Sequence, residues 1–439
     1  MFEESSDSAS TLTGATAWLA QMDSLPVEVE AKARLLLLDT FGCLLAGLRH
    51  PEVKQFGQTL RLAFPGDTAW PASDIKLGMA GLASLGAAAA CWDEACEGNS
   101  SAHGRPGLPV VPSLLALSAT RDISLGDLLV ALVTGYEIGA RAGELWRIPP
   151  GWHVDGSWHS LGVAAAVARV TAGPQGIQPA IEAAACQIPA SLYLPITVGS
   201  VLRNTYPAHA VLLGMLSASA AMAGFEMPQG ALEEARRRVL GATAPAAATP
   251  AGQWTILDGY LKPFAGVRHT HYGVEAALRL RKHRAFSLGE IEAIRLQTYQ
   301  EAAQYCGNRA PRTAIQAQFS LSYAIAAALV LGDLGPNAYA DIGDPIIKHL
   351  EQRVAVEVDE NRLRRGARVT IDIGGKSLTE SIDDVAGDPT MPMTKDQVAG
   401  KFLRYVGPIL GEAHAESLVR VLLEGDSAQP ARTCLTLGS

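Results

Sequence analysis

The chain has 439 residues, of which 48% are hydrophobic and 18% are charged, and its net charge is −8. This composition is typical of a globular protein with two or three domains. Because the chain is mildly acidic and has no run of five or more basic residues, it lacks the charge pattern of nucleic-acid-binding proteins, and we expect no nucleic-acid partner. Every apolar run ends before the roughly 18 residues that a membrane span needs, so we expect no membrane partner either.

The cysteines and the N-terminus predict a reduced, cytoplasmic setting. The six cysteines are scattered, and only Cys91 and Cys96 lie close in sequence, at a spacing that common zinc modules do not use. Residues 1–10 are acidic and rich in serine, whereas a signal peptide begins with a basic segment followed by an apolar one. We therefore expect no export.

Residues 26–245 predict a succession of helices, because small apolar residues recur at helical spacing between short Gly/Pro breaks. The clearest examples are residues 28–49, 125–146 and 210–225. Alanine, glycine and serine dominate their apolar faces, so these helices can approach closely, and several should be buried on all sides. The pattern favours one large all-α domain.

The pattern changes after the linker-like segment at residues 241–253. A helix is predicted at residues 319–332, and period-two alternation predicts strands at residues 291–299, 354–360, 367–373 and 377–383. Two amphipathic helices follow residue 392. We predict a mainly α fold, in which residues 1–258 and 393–439 form an all-helical domain and residues 259–392 form an inserted, smaller α+β lid domain.

Several familiar catalytic motifs are incomplete. The run IGGKSL at residues 373–378 resembles the end of a phosphate loop, but Thr370 stands where that motif needs its first glycine, so we interpret the run as a hairpin turn. No GxGxxG follows a predicted strand, and no GxSxG occurs. The close pairs His153/His159 and His269/His271 do not form a recognisable metal site, so we expect no catalytic metal.

Six of the ten histidines lie between residues 103 and 271, in turns that are rich in Gly, Pro, Trp and Arg. A single histidine is more often structural than catalytic. Several histidines together with Arg, Lys, Asp and Tyr in separate turns instead suit a pocket for a small polyanion. In such a pocket Arg and Lys hold carboxylates, and His or Tyr transfer protons.

The sequence resembles the MmgE/PrpD superfamily over nearly its whole length. The resemblance is carried, in order, by DTFGCLLAG (39–47), WDEACEGNSSAHGRPGLPVVPSLLAL (92–117), GYEIGAR (135–141), GWHVDGSWHSLGVAAAVARV (151–170), KPFAGVRHTHYGVEAAL (262–278), AQFSLSYAIAAAL (317–329), GDPIIKHLEQRVAVEVDE (343–360) and GDPTMPMTKDQVAGKF (387–402). Known members include 2-methylcitrate dehydratase, cis-aconitate decarboxylase and iminodisuccinate epimerase. The resemblance implies a helical domain with an α+β lid, an active site between them, no metal or organic cofactor, a polycarboxylate substrate and a homodimer.

The resemblance also implies the site residues. Matched to the family pattern are Asp93, His103, His153, His271 and Tyr323 as catalytic candidates, with Lys262 and Arg268 as cations that bind carboxylates. Two structural alternatives stay open. Tyr323 could be a core residue whose hydroxyl is satisfied locally, and Lys262 could be a surface residue at a domain hinge.

Three departures from the family pattern bear on the reaction. Tyr206 stands where the dehydratases and decarboxylases carry a lysine before a small-residue helix, so a cation is missing there. The acidic pair is Asp93-Glu94 rather than Asp-Asp. The segment HGRPG makes Arg105 an alternative occupant of the usual histidine register, with His103 displaced by two residues.

These departures favour epimerisation of iminodisuccinate, because an epimerase needs two acid/base groups and no protonated leaving group. Arg105 joins the two matched cations as a carboxylate clamp. Tyr206 is a candidate for proton transfer and Tyr136 for substrate binding, although a tyrosine is a poor base unless cations lower its pKa. The alternatives are a dehydratase of 2-methylcitrate type, a decarboxylase of cis-aconitate type, and a family member whose site has decayed into a binding or structural protein.

Overall fold

The computed structural model describes residues 11–241, 246–283 and 286–436. Residues 1–10, on which the expectation of no signal peptide depends, lie outside the described residues. No helix in the described ranges is both long and apolar enough to cross a membrane.

The first part of the chain is almost entirely helical, as the sequence predicts. Its helices are α1 (Leu12–Leu19), α2 (Val27–Gly47), α3 (Pro51–Leu60), α4 (Met79–Cys91), α5 (Gly107–Ser118), α6 (Leu125–Leu145), α7 (His159–Thr171), α8 (Ile177–Ala185), α9 (Leu194–Val198), α10 (Tyr206–Met222) and α11 (Ala231–Val239). Two short strands, β1 (Gly98–Asn99) and β2 (Gly259–Tyr260), pair antiparallel beside them.

Small residues allow the central helices to pack backbone against backbone. Every residue of α5 is buried, and α4 is buried from Gly81 to its last residue, Cys91. At the crossing of α6 and α7, a Cβ added at Gly135 would lie 2.6 Å from the carbonyl oxygen of Gly162. No side chain fits at such a contact, which explains why glycine and alanine dominate these faces.

The second part of the chain contains a four-stranded sheet packed against helices. Its elements are α12 (His271–His283), β3 (Ile291–Thr298), α13 (Gln300–Cys306), α14 (Ala314–Gln318), α15 (Leu321–Leu331), α16 (Pro345–Gln352), β4 (Val354–Val358), β5 (Ala367–Ile373) and β6 (Lys376–Ile382). The strand order is β4-β3-β5-β6, with β3 and β4 parallel and the other neighbours antiparallel.

The run IGGKSL forms a tight hairpin, as predicted. Gly374 and Gly375 connect β5 to β6 with positive φ values of 55° and 74°. Glycine adopts this left-handed conformation without strain, and consecutive positive φ values give a turn that matches the twist of the strands.

The C-terminal helices α17 (Lys395–Leu410), α18 (Glu412–Glu424) and α19 (Thr433–Thr436) return to the helical part. The ammonium group of Lys401 on α17 lies 2.6 Å from the buried carboxylate of Asp39 on α2. A Cβ added at Gly42 on α2 would lie 2.8 Å from the ring of Phe402. The architecture is therefore mainly α, whereas the domain division at residues 258/259 and 392/393 stays a prediction.

Candidate active site

A cavity of about 800 Å³ lies where turns of the helical part meet residues 260–269 and the loop between β4 and β5. This volume is in the usual range for small-molecule sites. Its charged and imidazole-bearing lining residues are Glu94, His103, Arg105, Arg147, His153, Asp155, Arg203, Lys262, Arg268, His269, Glu301 and Arg365.

Glu94 is the centre of the charged floor of this cavity. Its backbone φ is +51°, which is uncommon for a residue with a side chain, and the residue is only 4% exposed. Its carboxylate lies 3.0 Å from Nη1 of Arg105 and 3.0 Å from Nζ of Lys262, and it also pairs with Arg203. Burial alone raises the pKa of Glu94, but these three cations outweigh burial and hold the pKa well below its usual range.

Asp155 is the second buried carboxylate of the floor. It pairs with Arg105, and Nη2 of Arg203 lies 3.7 Å from it. Burial raises the pKa of Asp155, but the lowering effect of Arg105 and of other nearby groups is larger, so the pKa lies below its usual range and the group is ionised. Glu94 and Asp155 thus hold three cations in a fixed arrangement that is still one charge positive.

The cavity as a whole is positively charged. Within the part of the chain that the structure describes, six lysine and arginine residues line it, against three carboxylates. Arginine presents a planar fork of donors that matches a carboxylate, and charge-assisted hydrogen bonds are about twice as strong as neutral ones. The lining therefore suits a small polyanion, in agreement with the sequence analysis.

His153 lines the cavity as a neutral imidazole. The backbone N–H of Asp155 donates a hydrogen bond to Nδ1 of His153 at 3.1 Å, so Nδ1 is an acceptor and the ring carries its proton on Nε2. Burial is the main cause that lowers the pKa of His153 to about 4, assisted by Arg203 and Arg105 and opposed by Asp155. Nε2 has no hydrogen-bond partner among the described residues, and the ring is one of those that line the cavity.

His269, and not His271, is the histidine of the Lys-Pro segment that lines the cavity. Nδ1 of His269 lies 2.6 Å from the hydroxyl of Tyr299, and burial lowers the pKa of His269 to about 3. His271 is fully buried and uses both ring nitrogens, one with the carbonyl of Gly266 at 3.2 Å and one with Nη1 of Arg268 at 3.3 Å. His271 thus lies behind the cavity lining, and its match to a catalytic position stays a prediction that this geometry does not support.

A row of four stacked or tilted rings connects the two cavity histidines. His153 stacks on Tyr193 at 5.8 Å between centroids, Tyr193 lies 6.3 Å from Tyr305, and Tyr305 stacks on His269 at 6.2 Å. All four residues line the cavity. The row therefore forms one wall that extends from the helical part to the α+β part.

The structure brings five of the predicted site residues to the lining: His103, Arg105, His153, Lys262 and Arg268. His103 is exposed and has a φ of +53°. Lys262 is 1% exposed, which excludes the alternative of a surface hinge residue.

Arg268 is already neutralised within the protein. Its guanidinium lies 2.5 Å from the carboxylate of Asp388 and 4.9 Å from the ring centroid of Tyr260. A substrate carboxylate would have to compete with Asp388 for this cation. The contact therefore favours a structural role for Arg268 at the edge of the cavity.

Asp93 and Tyr136 do not reach the lining. Asp93 lies 3.1 Å from Nε2 of His50, whose ring stacks on Trp92. Tyr136 is buried, and its hydroxyl accepts a hydrogen bond from Asn99 at 3.5 Å. Their assignment to the site stays a prediction that this geometry does not support.

Tyr206 and Tyr323 also lie outside the lining. The hydroxyl of Tyr206 donates to the carbonyl of Leu192 at 2.8 Å, while its ring packs on His153. The hydroxyl of Tyr323 donates to the carbonyl of Ala338 at 2.9 Å inside the core. The second contact is the locally satisfied core alternative considered for Tyr323.

Seven charged or imidazole-bearing lining residues were not selected as site residues from the sequence: Glu94, Arg147, Asp155, Arg203, His269, Glu301 and Arg365. A detectable signal existed for two of them. Asp155 stands two residues after His153 in the same turn, and Arg203 precedes Tyr206 by three residues. Arg203 thus supplies a cation close to the position where the sequence analysis found one missing.

Among residues 11–241, 246–283 and 286–436, no group of three or more His, Cys, Asp or Glu side chains is arranged to hold a metal ion.

Comparison with known proteins gives the family. The sequence model of the MmgE/PrpD N-terminal domain matches residues 16–247, and that of the C-terminal domain matches residues 264–424. A cis-aconitate decarboxylase of Aspergillus terreus (strain NIH 2624 / FGSC A1156) is 24% identical in an alignment that is 478 residues long with its gaps. The alignment covers 97% of this chain and 96% of the relative. A second cis-aconitate decarboxylase of Aspergillus terreus is 24% identical over 447 residues, which cover 91% of this chain and 90% of the relative. The chain belongs to the MmgE/PrpD family.

Proposed function

We propose that this protein is a cofactor-independent lyase that decarboxylates a small unsaturated tricarboxylate of the cis-aconitate type. The observation that carries the proposal is the hydrogen bond from the backbone N–H of Asp155 to Nδ1 of His153, which leaves Nε2–H of this cavity residue as a donor. Burial lowers the pKa of His153 to about 4 and that of His269 to about 3, so both are poor bases near neutral pH. Of the reactions considered for the family, decarboxylation is the one that needs a proton donor and no base.

Substrate binding would use the positive floor of the cavity. Arg105, Arg203 and Lys262 share two carboxylates and keep one net positive charge, which favours an anionic ligand. The match to two cis-aconitate decarboxylases over nearly the whole chain supports a tricarboxylate.

The bond changes follow from the structure of cis-aconitate. The bond between the methylene carbon and its carboxylate breaks and releases CO2, and its electron pair becomes a new terminal C=C bond. The electron pair of the old double bond moves to the carbon beside another carboxylate, where it forms an enediolate. A proton then adds to that carbon and gives 2-methylenesuccinate. The barrier depends on how well donors and cations stabilise the enediolate.

His153 would stabilise that charge as a neutral donor. Its Nε2–H has no partner among the described residues, and the ring lines the same cavity as Arg105 and Arg203, so it can donate to the carboxylate oxygen on which negative charge develops. A donor that is already oriented by the backbone N–H of Asp155 needs no rearrangement during the reaction.

Tyr193 would supply the proton to carbon. Its ring stacks on His153, it lines the cavity, and its hydroxyl has no hydrogen-bond partner in the described ranges. Burial raises the pKa of Tyr193, so the hydroxyl keeps its proton at neutral pH. An enediolate carbon is far more basic than a tyrosinate, so this weak acid is sufficient.

Epimerisation of iminodisuccinate, the first expectation from the sequence, is the second candidate. It is favoured by His269: if Nδ1 donates to the hydroxyl oxygen of Tyr299, Nε2 can accept a proton. The low pKa of His269 makes it a weak base. The argument for an epimerase from the missing lysine is also weaker, because Arg203 supplies a cation to the cavity. The homodimer, which the family resemblance implies, the cytoplasmic setting, which the scattered cysteines indicate, and the lid domain, which the change in periodicity indicates, stay part of the proposal.

Proton NMR in D2O distinguishes these reactions. The purified protein is incubated separately with cis-aconitate, stereopure iminodisuccinate, 2-methylcitrate and citrate. We expect vinylidene signals and one deuteron in the new methylene group, from cis-aconitate alone. Exchange and loss of optical purity in iminodisuccinate would replace the proposal with an epimerase, vinyl signals from 2-methylcitrate or citrate would replace it with a dehydratase, and no change in any substrate would contradict all three.

A further inference from the structure

Arg365 reaches the cavity from the α+β part of the molecule. It lies on the loop between β4 and β5, it is half-buried, and it lines the cavity. Its Nη1 donates to the hydroxyl of Ser100 at 3.2 Å, across the cavity edge from the turn that follows β1.

The loop that carries Arg365 is anchored on both sides. The carbonyl of Gly366 accepts a hydrogen bond from the hydroxyl of Thr298 at 3.0 Å, and Nη1 of Arg362 lies 2.7 Å from the carboxylate of Asp383. An anchored loop holds its side chains in a defined position, which reduces the entropic cost of binding. The guanidinium of Arg365 is thus presented to the cavity by a fixed backbone.

Arg365 differs from the other buried cations of the cavity because no carboxylate neutralises it. Arg105, Arg203 and Lys262 pair with Glu94 or Asp155, and Arg268 pairs with Asp388. In the described parts of the chain, no carboxylate lies within 4.0 Å of the Arg365 guanidinium.

The surroundings of Arg365 are polar but mostly uncharged. Burial lowers the pKa of Arg365, but Tyr260, Tyr299, Tyr272 and, with a smaller effect, Glu301 raise it above its usual value. A half-buried guanidinium with one weak hydroxyl partner has donors to spare, and a carboxylate is the ligand whose geometry matches its fork.

We propose that Arg365 binds one carboxylate of a tricarboxylate ligand and selects tricarboxylates over dicarboxylates. Arg365 reaches the cavity from the loop between β4 and β5, whereas Arg105, Arg203 and Lys262 form the floor. In this arrangement two carboxylates of the ligand bind the floor cations and the third binds Arg365, so a dicarboxylate held by the floor leaves Arg365 unpaired and binds more weakly. This inference rests on the proposed function, because it specifies the ligand of the same site.

The test measures binding rather than turnover. Isothermal titration calorimetry compares propane-1,2,3-tricarboxylate, which is saturated and cannot undergo the reaction, with glutarate, which has the same chain without the central carboxylate. We expect the unmodified protein to bind the tricarboxylate at least tenfold more tightly. Arg365→Gln should remove most of that preference, because it should weaken binding of the tricarboxylate at least tenfold and binding of glutarate less than twofold. Arg365→Lys should restore part of the preference.

Two further variants serve as controls. Arg364→Gln removes an exposed arginine from the same loop and should leave both affinities within twofold. Ser100→Ala removes the hydroxyl to which Arg365 donates and should not weaken binding of the tricarboxylate. A thermal melt of each variant verifies folding.

The outcomes separate the two proposals. Equal binding of both anions by the unmodified protein, equal weakening of both by Arg365→Gln, or no effect of Arg365→Gln would each overturn the selectivity of Arg365. Selective binding without turnover of cis-aconitate would overturn the proposed function alone. Absence of binding by either anion would overturn both.

Discussion

The backbone N–H of Asp155 donates to Nδ1 of His153 over 3.1 Å, and this contact decides what His153 can do. A backbone N–H group can only donate, so Nδ1 accepts and the neutral ring carries its proton on Nε2. The side chain of Asp155 simultaneously pairs with Arg105. One residue thus orients both a hydrogen-bond donor and a cation toward the same cavity.

Two substitutions of His153 distinguish a donor from a base. Gln can place an amide N–H near the position of Nε2, whereas Phe keeps the ring stacking and has no donor. We expect His153→Phe to lower kcat for decarboxylation by about 10² to 10³ and His153→Gln to lower it by roughly tenfold, because one oriented donor to developing negative charge contributes on this scale. The measurement is steady-state release of CO2.

The control is His209→Asn, which changes an exposed histidine on α10 and should leave kcat unchanged. If His153 acted as a base, both His153 variants would lose that base equally. Equal loss in His153→Gln and His153→Phe, with normal thermal melts, would therefore contradict the donor role.

Tyr193→Phe removes the proposed proton donor and keeps the stack on His153. We expect kcat to fall at least 10²-fold with little change in the KM for cis-aconitate, because general acid catalysis contributes on this scale and the hydroxyl holds no other group. The solvent deuterium isotope effect on kcat should change as well. Full activity of Tyr193→Phe would transfer the donor role to another lining group.

The secondary structure was largely predictable because the strands and helices carry clear periodicities. The strand at residues 367–373 appears with its predicted bounds, and the hairpin at Gly374-Gly375 follows from two adjacent glycines between alternating segments. These features are predictable from local patterns, because successive side chains of a strand point to opposite faces of the sheet. The alternation of polar and apolar residues in the sequence has the same period of two.

The site was only partly predictable, because direction in space decides between neighbours in sequence. His269 and His271 stand two residues apart in one segment, but a 3-10 turn at Arg268–Thr270 precedes α12. This turn places His269 on the cavity and His271 in the core. The ion pairs of Glu94 join residues up to 168 positions apart, and no local pattern shows such contacts.

Tyr323→Phe tests a residue that the family pattern marks as catalytic and the structure places in the core. The variant loses one hydrogen bond, from the hydroxyl to the carbonyl of Ala338 at 2.9 Å. We expect the free energy of unfolding to fall by about 1 kcal/mol and kcat/KM to stay within twofold. Urea denaturation and the decarboxylation assay measure the two quantities. A tenfold loss of kcat/KM at normal stability would return Tyr323 to the site.

Glu97 should make the stability of the protein depend on pH. Burial is the main cause that raises the pKa of this fully buried carboxyl to about 8, against the lowering effect of Arg105 and of the N–H groups of Gly107 and Leu108. The unfolded chain releases this proton near its ordinary pKa, while the folded protein keeps it. This contribution to stability is therefore complete below that ordinary value and is lost as pH rises through about 8.

Glu97→Gln should remove that loss. The amide oxygen can accept the same two N–H bonds, which Oε1 of Glu97 accepts at 2.9 and 3.1 Å, and no ionisation remains. We expect the variant to match the unmodified protein near pH 5 and to be more stable at pH 9 by on the order of 5 kcal/mol. Denaturation curves at both values measure this difference, with Glu52→Gln on the surface of α3 as the charge control. A variant that is less stable at pH 9 would show that the carboxylate form is the native one.

Two glycine substitutions test whether the close contacts between helices require small residues. A Cβ at Gly47 in α2 would overlap the backbone carbonyl of Ala89 in α4, whereas a Cβ at Gly400 in α17 meets no atom within 4 Å. Because a backbone atom cannot move aside as a flexible side chain can, Gly47→Ala should lower the free energy of unfolding by about 2 kcal/mol or more. Gly400→Ala should raise it by about 0.5 to 1 kcal/mol, since alanine in an exposed helix loses less entropy on folding. Urea denaturation of both variants gives the two signs, and a neutral Gly47→Ala would mean that α2 and α4 are free to separate at this crossing.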